Sequence, residues 1–148
     1  MSITYWLALG AVALGGAGIA TQAPINATLA RSAGDPVATA AISFGVGFIV
    51  LSAITLARGT VPSWEALAPL PWWAWTGGAL GAIYVCAAAW SADRIGVVSL
   101  VAALVFGQLI AALILDAIGA FGMAAREISP TRILAVLMVA GGLLLSRV

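Results

Sequence analysis

Charge is what this sequence lacks most. Of 148 residues, 11 carry a formal charge, six of them basic and five acidic, and there is neither lysine nor histidine. A domain folded in water carries charge on about a quarter of its residues and needs polar groups over most of its surface. A charged share of 7% cannot supply them, which excludes a water-soluble globular fold. Without histidine, and with Cys86 as its one cysteine, the chain can build neither a Cys/His metal cluster nor an internal disulfide. A net charge of +1 without lysine leaves no basic patch for nucleic acid. No nucleophile–base pair and no phosphate-binding loop is present, so neither an enzyme nor a cofactor is expected. The stretch 1–30 lacks a positively charged n-region and a small-residue cleavage site, so it is read as a span rather than a removable leader.

What the sequence has instead is apolar length. Hydrophobic residues make up 64% of it, with a mean hydropathy of +1.16, which points to lipid as the solvent. Crossing the hydrocarbon takes about 20 apolar residues. Cutting the chain at its charges predicts spans at about 3–30, 36–57, 72–92, 95–116 and 131–147. A tight turn from Arg31 to Asp35 separates the first two, a loop with Pro62, Pro69 and Pro71 precedes the third, and Asp93-Arg94 pair in sequence between the third and fourth. In lipid every backbone N–H and C=O must be paired internally, and runs of this length without alternation are helices rather than barrel strands. The expectation is an all-α, integral membrane bundle of five transmembrane helices, a single membrane domain over 1–148.

Five spans put the termini on opposite sides. One side then receives Arg58, Arg126 and Arg132, the other Arg31, Arg94 and Arg147. Orientation normally follows an excess of Lys/Arg in cytoplasmic loops, and here there is none. Either loop folding or a partner sets the orientation, or the chain inserts both ways and pairs with an inverted copy of itself. Aromatic placement favours the second reading. Tyr5, Trp6, Trp64, Trp72, Trp73 and Trp75 fall on one side against Trp90 on the other, and an antiparallel pair gives both interfaces the same aromatic belt.

The first span carries Ala11, Gly15, Gly18, Gln22 and Asn26 at helical spacing, hence on one face. Gly77, Gly78 and Gly81 mark the third span and Gly141-Gly142 the fifth. Gly15, Gly18, Gly77 and Gly81 are read as helix-packing positions, because helices in lipid associate through small residues. Gln22 and Asn26 bring amide donors and acceptors that lipid cannot satisfy. Gln22 lies about 12 Å and Ser43 about 10 Å from the same membrane surface on a straight-helix count, and Tyr84 and Gln108 fall near the midplane. These groups either bond helices together or line a cavity for a polar or amphipathic solute. Pro24, between the two amides, removes a backbone hydrogen bond and predicts a bend. No carboxylate falls at mid-membrane, and Asp116, at the end of the fourth span, is the one candidate for coupling to an ion.

The chain resembles the YdcZ-type, half-size members of the drug/metabolite transporter superfamily nearly end to end. The likeness rests on Gln22-Ala-Pro-Ile-Asn26-Ala-Thr-Leu29, on Ser43-Phe44-Gly45-Val-Gly47, and on Trp72-Trp73 with Gly77-Gly78 and Gly81. It continues through Gly107-Gln108, Asp116 with Gly119, and Arg132, while Ala135 stands where a small residue, often glycine, is expected. The resemblance implies an exporter of the bacterial inner membrane, each chain half of a ten-helix transporter built from inverted repeats. The related small multidrug resistance proteins carry a membrane-embedded glutamate in their first helix, where this chain offers Gln22 and Asn26, which argues against cation antiport. The expected function is alternating access in an antiparallel homodimer, or in a pair with a paralogue. Gln22, Asn26, Ser43 and Gln108 would bind an unknown small molecule, and Tyr84 and Trp90 would form aromatic walls. A structural or accessory membrane subunit without transport activity is the competing reading.

Overall fold

The computed structural model describes residues 3–146 and contains only helices and connecting turns among them. Arg147 and Val148, the end of the fifth expected span, lie outside the described residues. The long helices are α1 (Ile3–Ala33), α2 (Pro36–Ala57), α4 (Gly77–Ile95), α5 (Val97–Ile118) and α6 (Pro130–Leu145). The short α3 (Trp64–Leu67) and a 3-10 turn (Trp72–Trp75) lie between α2 and α4, and a second 3-10 turn (Ala120–Gly122) follows α5. Three helices, α1, α2 and α5, are long and apolar enough to cross a membrane, while α4 has 19 residues and α6 has 16.

Helix ends differ from the expected boundaries, and glycine and proline explain where. Arg31 does not end α1. The helix runs to Ala33 and stops at Gly34, whose φ of 74° lets its N–H close back on the Ala30 carbonyl at 2.9 Å. The five-residue turn is therefore only Gly34-Asp35. Asp35 caps α2 through its carboxylate, which accepts from Val37 N and Ala38 N, with Pro36 in the first turn where its missing N–H costs nothing. The third helix does not begin at Trp72 but at Gly77. Trp72–Trp75 tighten into a 3-10 turn instead, closed by Thr76, whose N–H and hydroxyl both donate to the Trp73 carbonyl. Asp93-Arg94 form no loop either. They belong to the last turn of α4, and the break falls at Gly96 with φ 76°.

The chain forms two compact units, one up to Arg94 and one from Ile95 onward. In the first, α1 packs against α2. Buried residues there are Ala23, Asn26 and Ala27 of α1, Thr39 and Ala40 of α2, and Val85, Ala88, Ala89 and Ala92 of α4. These are mostly alanines in the half of each helix nearest the Gly34 turn, where small side chains allow close backbone approach. By contrast, every residue from Ile3 to Ile19 is exposed.

In the second unit α5 and α6 pack against each other and are joined by polar contacts at both ends. Ser99 donates to the Ser146 carbonyl at 3.2 Å, and Arg132 pairs with Asp116 at 2.9 Å. The connection after α5 folds back through Arg126 N, which donates to the Asp116 carbonyl at 2.8 Å. Gly119 permits this, with φ 60° and an Ala125 backbone that leaves no room for a side chain.

Candidate functional site

The first unit holds the polar group that burial makes most demanding. Asn26 is 2% exposed, surrounded by an alanine-rich core. Ser43, from the second turn of α2, donates its hydroxyl to Asn26 Oδ1 at 2.7 Å. That bond accounts for one end of the carboxamide. The Nδ2 end carries two further N–H donors, and no buried side-chain nitrogen or oxygen among the described residues is left without a partner. Gln22, one turn earlier on the same face, is half-buried. Two of the expected site residues, Asn26 and Ser43, are thus in direct contact. Pro24 lies within an unbroken helix, and its carbonyl accepts the Thr28 hydroxyl at 3.0 Å.

The other expected site residues are placed differently. Tyr84 is half-buried on α4. Trp90 is 55% exposed and carries the Arg94 guanidinium 4.3 Å from its ring centroid. It is therefore a cation-stacked residue at the helix end rather than a bare aromatic wall. Gln108 and Asp116 belong to the second unit, where Gln108 is exposed and Asp116 is held by Arg132. Of the four packing glycines, Gly81 alone faces a neighbour. A Cβ there would lie 3.0 Å from Phe44 Cζ, whereas at Gly15, Gly18 and Gly77 it would meet nothing within 4 Å.

Two ion pairs were not read from the sequence. Asp93 pairs with Arg31 at 2.6 Å, not with its sequence neighbour Arg94, and so links the ends of α4 and α1. Arg31 is held further by its Nη2, which donates to Thr28 Oγ1 at 2.8 Å. The Arg132–Asp116 pair closes one end of a small apolar pocket of about 190 Å³ between α5 and α6, with Leu109, Leu113 and Val136 among its walls. The signal for both pairs was available. In each pair the two residues lie at the ends of the five apolar runs that the sequence marks.

Chemically, the Asn26 region offers neutral donors and an acceptor in an apolar setting, suited to hydrogen-bonding an uncharged polar group rather than to proton transfer. No group of acidic, histidine or cysteine side chains among the described residues could hold a metal. Comparison with curated proteins and with solved structures gave no match. Comparison with protein families gave one, over residues 7–145, to the family described as "Putative inner membrane exporter, YdcZ". That span takes in α2, α4, α5 and α6 and nearly all of α1, with every candidate site residue. The apolar helices and this end-to-end match together make the chain a member of the YdcZ family of inner-membrane proteins.

Proposed function

We propose that this chain is a secondary transporter of small polar or amphipathic molecules. In this reading its five long helices each cross the membrane as one membrane domain, and two inverted copies form a ten-helix carrier that works by alternating access. Helix α6, at 16 residues, is short for a span and is accommodated by local thinning and by Arg132 reaching to the interface. The observation that carries the proposal is Asn26. A carboxamide 2% exposed and tied to Ser43 of the next helix, with the half-buried amide of Gln22 one turn away on the same face, puts hydrogen-bonding groups in an apolar setting where a polar solute can be held. The inverted pair draws support from the even division of arginines and from the exposed first half of α1, whose Gly15 and Gly18 present open small-residue positions to a helix from outside the chain.

The accessory-subunit reading also has an observation in its favour, since the Ser43–Asn26 bond joins α1 to α2 and could be adhesive only. Thiol accessibility separates the two. In a Cys86→Ser background, Gln22→Cys should react with a membrane-impermeant thiol reagent applied to vesicles from either side, because alternating access wets the site from each face in turn. Absence of labelling from both sides would reject the transport reading and leave the amides as adhesive.

A further inference from the structure

A groove of about 440 Å³ lies at the end of the first unit, where α1 and α4 finish and α2 starts. Its floor is Ala27, Ala30 and Ala89, Pro36 forms one lip, and Arg31, Trp90, Asp93 and Arg94 supply the polar rim. The charges are not equally engaged. Asp93 takes Arg31 through both carboxylate oxygens, at 2.7 and 2.6 Å. The Asp35 carboxylate, beside Pro36, accepts from the first N–H groups of α2. Arg94 belongs to no ion pair among the described residues. Its Nη1 donates to the Trp90 carbonyl, and its guanidinium rests 4.3 Å from the Trp90 ring centroid. Stacking and that bond fix the fork in place and leave Nε and Nη2 for an external acceptor.

We propose that this groove binds the headgroup of an anionic phospholipid, its phosphodiester on Arg94 and its glycerol and upper acyl carbons on the alanine floor. Three features select that occupant. The rim carries a positive charge without a carboxylate partner, as basic pockets between membrane helices do when they hold acidic headgroups. Trp90 is the residue type that sits at headgroup depth. The alanine floor has no donor to replace the water around a free inorganic anion, but it matches hydrocarbon.

The test uses the full chain purified in detergent, with the melting temperature followed as phosphatidylglycerol, phosphatidylcholine or inorganic phosphate is added. Phosphatidylglycerol should stabilise the protein and phosphatidylcholine should not. Arg94→Gln should weaken the apparent affinity for phosphatidylglycerol by about fivefold, the effect of one basic residue at a lipid surface. Arg58→Gln, outside the groove, should leave it unchanged. Asp93→Asn, which frees Arg31 of its counter-charge, should tighten binding, an outcome that misfolding cannot imitate. Retained preference in Arg94→Gln, an equal loss in Arg58→Gln, no tightening in Asp93→Asn, or a matching shift from inorganic phosphate would each overturn the proposal.

Discussion

The Asn26–Ser43 bond is the smallest unit on which the candidate site depends, and its energy is measurable. Interhelical hydrogen bonds in membranes average about 0.6 kcal/mol and reach about 1.7 kcal/mol. Removing Ser43 leaves Oδ1 of a carboxamide that is 2% exposed without its partner, so Ser43→Ala should sit in the upper part of that range. Asn26→Ala, which removes the polar group altogether, should cost less than a simple sum suggests. A double-mutant cycle read by denaturant unfolding in bicelles should therefore return a coupling near about 0.6 kcal/mol or above. Zero coupling would mean that the two side chains do not bond. The spacing of Gln22 and Asn26 placed both on one helix face, and similar depths from one membrane surface brought Ser43 into range. The sequence could not show which way α5 is turned. A period of 3.6 residues fixes which side chains share a face but not which face meets a neighbour, and Gln108 proved exposed.

At the level of elements, backbone punctuation decides where helices begin and end, and glycines differ in what they do. Gly119 combines φ 60° with a Cβ position 2.8 Å from the Met123 carbonyl. Gly119→Ala should therefore lose about 1–2 kcal/mol for the left-handed conformation alone and more for the clash, with release of the Arg126 N–Asp116 contact. Gly81→Ala meets only the mobile end of Phe44, so its melting temperature should stay close to that of the parent. Equal losses at the two positions would contradict this distinction. Five apolar runs are legible from charge placement, and five helices of 16 residues or more overlap them, three of them long and apolar enough to cross a membrane. The misplaced ends share one cause. A charge does not by itself end a helix: Arg31 and Arg94 complement the negative C-terminal ends of α1 and α4 from within the last turn, and the break comes only at the next glycine, Gly34 or Gly96. Side-chain partners across helices, such as Arg31 with Asp93, were obscured for the same reason, since treating Asp93-Arg94 as a loop hid that both belong to a helix face.

For the whole molecule, the decisive quantity is the balance of arginines, because loop charge sets orientation and acidic residues contribute little. If the balance lets the chain enter either way up, and the carrier is a pair of opposed copies, then biasing one copy should remove its partner. Adding arginine at Thr60 and Val61, both exposed between α2 and α3, should drive every chain into one orientation. A reporter fused after the last residue should then be accessible from one side, where the parent is accessible from both. Ser32→Arg with Ala33→Arg, exposed at the opposite end of α1, should drive the other orientation. Each biased variant alone should lose the dimer seen by native mass spectrometry, and the two expressed together should regain it as a mixed pair. Rescue on co-expression is the discriminating result, since a variant damaged in folding stays damaged beside another. A parent reporter confined to one side, or biased variants that dimerise as well alone as together, would show that like-oriented copies associate and that the exposed half of α1 meets lipid or a different protein.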